Sequence, residues 1–139
     1  MTRNRPVPKV SAEDAAFVRE LVIFEDDKVI VFDKPSGLAV QGGGGIDRSL
    51  DELLAAFARS NGKRPRLVHR LDRGTSGVVV TARTQPAAAF LSEEFAARRT
   101  EKVYLALVRG VLPPEDSGIL NTLLVKVEEG GRPRMIAAK

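Results

Sequence analysis

Short apolar runs separated by turn-forming clusters organise the chain. Residues 1–12, with Pro6 and Pro8 and few apolar groups, read as a flexible lead-in, and residues 13–139 as one domain. Ala15 to Glu20 suits a short helical turn. Leu21–Phe24 and Lys28–Phe32 are apolar runs joined by Glu25-Asp26-Asp27, the pattern of a β-hairpin. Lys34-Pro35-Ser36-Gly37 stops the second run, because Pro35 cannot donate to a ladder and Gly37 permits positive φ. Ser49-Leu50-Asp51-Glu52 is a capping box, and Leu50, Leu53, Leu54 and Phe57 form one helical stripe that should run to about Arg59. Val78-Val79-Val80-Thr81 is a β-branched run that reads as a buried strand. Thr84 caps a second helix with Pro86 near its start. Thr100–Gly110 alternates as a long strand, with Val103, Leu105 and Leu107 on one face and Tyr104, Ala106 and Val108 on the other. Ile119–Val127 predicts a further strand and Glu128–Pro133 a turn. These elements give an α+β fold: a mixed, mainly antiparallel sheet flanked by two helices.

The polar knot that precedes the β-branched run concentrates the chemistry. His69-Arg70-Leu71-Asp72-Arg73-Gly74-Thr75-Ser76-Gly77 feeds straight into the strand, an arrangement that holds side chains still at the edge of a cleft. Asp72 is the only acid between Arg59 and Ala82, among Arg59, Lys63, Arg64, Arg66, Arg70 and Arg73. Surrounding positive charge favours the ionised carboxylate, which suits a nucleophile or base better than an acid. The competing account is turn chemistry, with Asp72 accepting backbone N–H bonds and the glycines supplying special dihedrals; on residue types alone that account leads. A Ser76-His69-Asp72 hydrolase fits poorly: there is no Gly-x-Ser-x-Gly elbow, and three triad members within eight residues rarely reach the geometry. The Gly42–Gly45 run lacks the Lys-Ser/Thr ending of a phosphate loop and reads as a mobile loop.

Composition narrows the choice. The chain has 139 residues, 43% hydrophobic and 29% charged, as in soluble globular proteins. It has no cysteine and one histidine, which disfavours a disulfide framework, a thiolate site and a zinc site. No apolar run approaches a membrane span, and residues 1–10 have no signal-peptide core, so a cytoplasmic protein is expected. The net charge of +4 is uneven: +3 over residues 1–10, −6 over 11–52 and +7 over 53–139. The basic half holds Asp72. RNA fits that balance, and so does a solubilising surface.

The order His-Arg-Leu-Asp-x-x-Thr-Ser-Gly before an aliphatic strand resembles the active-site motif of the RluA-type pseudouridine synthases. All seven fixed positions are present: His69, Arg70, Leu71, Asp72, Thr75, Ser76 and Gly77. The opening hairpin followed by Lys34-Pro35-x-Gly37 is similar to the start of that family's catalytic domain. Lys102-x-Tyr104-x-Ala106-x-Val108-x-Gly110 resembles its second motif. The match runs from about Leu21 to Gly110 and more loosely onward. The family's third motif, Gly-Arg-x-His-Gln-Ile-Arg, has an arginine that pairs with the catalytic aspartate; neither Arg132 nor Arg134 stands in that context. The expectation is therefore a partial catalytic domain, truncated at its C-terminus. A sheet so truncated leaves an edge open to dimer formation.

The resemblance implies isomerisation of a uridine in RNA to pseudouridine, with large-subunit ribosomal RNA the favoured target. It implies Asp72 as the catalytic residue and substrate contacts from Arg73, Tyr104, His69 and Arg70, with Tyr104 lying against a flipped-out base. No cofactor or metal is expected. Lys34 admits two readings, a phosphate contact or a solvated surface lysine, the second slightly ahead. The alternative function is a non-catalytic RNA-binding module that keeps the fold.

Overall fold

The computed structural model describes residues 10–43, 48–111, 114–115 and 117–138. Two units divide the chain at Lys102/Val103.

In the first unit, helix α1 (Ala12–Glu20) is longer than the sequence suggests. Ser11 caps it by accepting from the Asp14 N–H at 3.0 Å, and Glu13 and Asp14 complement the N-terminal dipole. Strands β1 (Val22–Glu25) and β2 (Val29–Lys34) form the expected antiparallel hairpin, with a bulge between Val22 and Phe24. Its turn is set by Asp26, whose carboxylate accepts from the backbone N–H groups of Lys28 and Val29 at 2.7 Å each.

The capping box forms, with the Ser49 hydroxyl on the Glu52 N–H and the Glu52 carboxylate on the Ser49 N–H. The helix it opens, α2 (Leu50–Leu53), tightens at once into a 3₁₀ turn over Leu54–Phe57 and ends two residues before the expected limit. The stripe is core as expected: Leu50, Leu53, Leu54 and Phe57 are all buried, and Phe57 meets Phe32 edge-to-face at 5.6 Å. Strand β3 (Arg66–Leu67) is short, β4 (Gly77–Ala82) is the valine run, and α3 (Gln85–Ala96) follows with Thr84 as its cap.

The sheet order is β1-β2-β4-β3, antiparallel at every pairing. With three α-helices among the described residues, the fold is α+β on an antiparallel sheet. Strand β4 is buried on one face only. Val79 and Thr81 are sealed against the core while Val78 is 57% exposed, which limits the expected burial to one face; an antiparallel sheet can leave the other face to solvent.

In the second unit the expected strand over Thr100–Gly110 does not form. Its side chains alternate suitably, but a strand is defined by a ladder, and the only pairing among the described residues of this unit is β5 with β6. Leu105 and Leu107 are fully exposed. Strand β5 (Leu124–Glu129) starts later and runs further than expected, and the chain returns as β6 (Arg132–Ala137). The turn is two glycines, Gly130 and Gly131, at φ 60° and 75°. That left-handed pair matches the twist of a two-residue hairpin and accounts for the shift of the turn from its predicted span.

Candidate active site

The site grows from one end of the sheet. Lys34 closes β2 opposite Gly77, which opens β4, so the Lys34–Gly37 and Arg70–Ser76 loops leave the sheet side by side. They are tied together. The Gly37 N–H donates to the Arg73 carbonyl at 2.8 Å, the Arg73 Nε donates back to the Gly37 carbonyl at 2.9 Å, and the Ser36 hydroxyl donates to the Gly74 carbonyl at 2.8 Å. Gly37, at φ 92°, adopts a backbone conformation that other residues rarely reach.

Lys34 is the centre of this knot. Its side chain has no solvent exposure. Its ammonium donates to the carbonyls of Leu38 at 2.7 Å, Pro35 at 3.0 Å and Arg73 at 3.3 Å. The reading of Lys34 as a solvated surface lysine is thus wrong. Burial pushes its pKa below the usual lysine range, and the negative charge of Asp72 pulls it partly back. The signal was present in the sequence: Ile30, Phe32 and Lys34 occupy alternate positions of one strand and share its inward face.

Leu71 is buried and Asp72 beside it is exposed, so the apolar neighbour anchors the loop while the carboxylate faces outward. The Thr75 N–H closes the turn on the Asp72 carbonyl at 3.0 Å. Arg70 and Arg73 are both exposed. His69 is half-buried. Its ring stacks on Phe95 with centroids 4.1 Å apart, and its Nε2 accepts from the Val80 N–H at 2.9 Å. An acceptor Nε2 places the proton on Nδ1 in the neutral ring. Burial, and then the nearby Lys102 ammonium, hold the His69 pKa below the ordinary value. His69 thereby ties the motif loop to the central strand. Tyr104 belongs to the second unit, where it lies outside any strand and is 59% exposed.

The basic residues flanking Asp72 in sequence do not form one field. Arg70 and Arg73 stay with the Asp72 loop. Arg59, Lys63, Arg64 and Arg66 line a groove at the other end of β4, where Arg66 pairs with Ala82. Only Arg66 and Leu67 pair antiparallel with β4, beside its Ala82 end, whereas the Arg73 loop is tied to Gly37 beyond its Gly77 end, so the two sets lie apart. Among the described residues, no group of three or more His, Cys, Asp or Glu is arranged to hold a metal ion, and no helix is long and apolar enough to cross a membrane.

Residues 28–137 match the profile of the RNA pseudouridylate synthase family. The chain belongs to that family. The match begins one residue before β2 and takes in both tied loops. Among relatives, the chain is 43% identical over 132 residues to the mitochondrial RNA pseudouridine synthase 4 of Arabidopsis thaliana, covering 84% of this chain and 28% of that protein. It is 37% identical over 140 residues to ribosomal large subunit pseudouridine synthase C of Haemophilus influenzae, covering 94% and 43%. The same enzyme of Escherichia coli K12 is 37% identical over 119 residues, covering 86% and 37%. The chain thus spans less than half the length of these relatives. Human RNA pseudouridylate synthase domain containing 4 is a similar solved structure, with a TM-score of 0.54 and 26% identity, covering 63% of this chain and 34% of that one. For a pseudouridylate synthase family member, the knot centred on Lys34 is the feature that motif reading alone did not supply.

Proposed function

We propose that this chain carries the catalytic core of an RNA uridine isomerase, with Asp72 as the catalytic residue and large-subunit ribosomal RNA as substrate. Family membership supports the reaction class, and the names of the Haemophilus and Escherichia relatives support the target. The observation that carries the role of Asp72 is its mounting: an exposed carboxylate on a loop held by buried Leu71 from within and by the Lys34 ammonium from the side. A positioned carboxylate of this kind suits covalent or base chemistry on a bound substrate.

The reaction is balanced without a co-reactant. The bond from the ribose C1′ to uracil N1 breaks, the base turns, a bond from C1′ to C5 forms, and the C5 proton is released while N1 gains one. Asp72 would attack C1′ or the uracil ring, or act as a base. Arg73, whose Nε is engaged with Gly37, would contact the RNA backbone or occupy the space of the flipped base through the rest of its guanidinium. Arg70 would reach the same RNA. His69 would act by holding the loop, and Tyr104 by stacking on the extruded base. Extrusion costs a few kcal/mol of unstacking, which favours looped or single-stranded sites.

The test is nucleoside chromatography of a large-subunit ribosomal RNA fragment after incubation with a chimera in which this chain replaces the matching segment of the Haemophilus relative. Pseudouridine should appear and should vanish with Asp72→Asn. Binding of the RNA without any pseudouridine from the unsubstituted chimera would point instead to the non-catalytic module.

A further inference from the structure

The groove at the far end of β4 is separate from the Asp72 loop. Its volume is about 750 Å³. Among the described residues, five cations line it, Arg59, Lys63, Arg64, Arg66 and Arg83, against one lining acid, Asp51. Three of the five are fixed in place, Arg59 by donating to the Asp27 carbonyl at 3.3 Å. Arg64 bonds to the Asp51 carboxylate and carbonyl, and Arg83 pairs with Glu25 and donates to the Asp26 carbonyl at 3.1 Å. A guanidinium held on one edge keeps N–H donors on the other and loses less entropy when an anion arrives. Lys63 and Arg66 are exposed, and the structure shows no ion pair for either among the described residues.

We infer that this groove is a second RNA-binding surface that grips phosphodiester groups away from the target uridine. The inference rests on the RNA-modifying function proposed above. Three observations favour an RNA strand over an acidic protein segment. Four of the five cations are arginines, whose forked donors match phosphate oxygens. Among the described residues no aromatic side chain lines the groove, which leaves neither the anchors that dominate protein interfaces nor the platforms that stack bases; what is left is backbone tracking. The groove also lies on the same sheet as the Asp72 loop, at the opposite end of a strand spanning roughly 17 Å. That is the reach of about five nucleotides of a stacked strand. The groove would therefore set affinity and RNA length preference without reading sequence.

The experiment measures binding of the chain to a fluorescein-labelled 20-mer of oligouridine by anisotropy across a salt series. Lys63→Gln/Arg66→Gln and Arg59→Gln are compared with wild type, each checked for an unchanged circular dichroism spectrum. Loss of two phosphate contacts should lower the slope of log K against log salt by about 1.4 and weaken binding about tenfold at 0.15 M salt. An unchanged slope in both groove variants overturns the inference and leaves the uridine chemistry standing, since that is read separately through pseudouridine formation. Competition by polyglutamate as effective as by oligouridine, lost in the same variants, overturns it in favour of an acidic protein partner. Absence of RNA binding by the wild-type chain overturns it outright.

Discussion

Replacing Lys34 by methionine isolates the contribution of the buried ammonium while keeping an unbranched stem of similar length. Two effects oppose each other. The substitution relieves the cost of desolvating a charge, a cost visible in the lowered pKa of Lys34. It also strips a donor from three carbonyls. The Arg73 carbonyl still accepts from the Gly37 N–H, so it keeps a partner. The Leu38 carbonyl loses a buried charge-assisted bond and the Pro35 carbonyl a half-buried one. An orphaned buried acceptor costs about 1–3 kcal/mol, and the bonds to the ammonium are of the stronger kind. The carbonyl losses should outweigh the relief, giving a net destabilisation of about 2–4 kcal/mol. For a unit of this size that lowers Tm by roughly 10–25 °C. Differential scanning calorimetry of the chain reads it directly. A Lys34→Met variant melting within about 2 °C of wild type would refute the reasoning and show Lys34 to be a passenger in the knot.

Other substitutions test the remaining joints. His69 has a depressed pKa in the fold, so its contribution is fully present above the unfolded value of about 6.5 and is lost as pH falls through the lower folded value. Urea unfolding between pH 7 and 5 should show stability falling by up to about 1.4 kcal/mol per pH unit from this group, and His69→Gln, an acceptor that does not titrate, should flatten that part of the profile. Arg98 sits at φ 55° just past α3, where the Arg99 N–H bonds to the Glu94 carbonyl and the Arg98 N–H to the Phe95 carbonyl, a Schellman closure with arginine in the glycine position. Arg98→Gly should stabilise by about 0.5–1 kcal/mol in thermal melts, and a loss of stability would contradict the strain assigned to it. Ser49→Ala removes a buried hydroxyl and half of the capping box and should cost about 1–2 kcal/mol in chemical unfolding.

Local chemistry was legible in the sequence and long-range pairing was not. The Ser49 and Thr84 caps and the apolar stripe from Leu50 to Phe57 depend on neighbours within a few residues and lie where the pattern puts them, and the first hairpin's turn falls one residue later than expected, at Asp26–Lys28. The strand expected over Thr100–Gly110 failed for the opposite reason: alternation prepares a strand, but only a partner makes one. The Gly130-Gly131 turn was misplaced because Glu128 and Glu129 look like turn residues while the positive-φ demand falls on the glycines. At the site, the motif located Asp72 but could not show that Lys34 is sealed beneath it. Nor could it show that Arg59, Lys63, Arg64 and Arg66 part company with Asp72, because that depends on β3 pairing with the Ala82 end of β4, a long-range contact. Gly44 and Gly45, expected in a mobile loop, lie outside the described residues.

The central claim is that one carboxylate, mounted on two loops tied through a buried lysine, performs the isomerisation. Tritium release from 5-tritiated uridine in ribosomal RNA, under single-turnover conditions with the chimera saturated, measures that step apart from binding. Asp72→Asn should slow release by at least about 1,000-fold while the RNA dissociation constant stays within twofold. Release at the wild-type rate from Asp72→Asn would contradict the account.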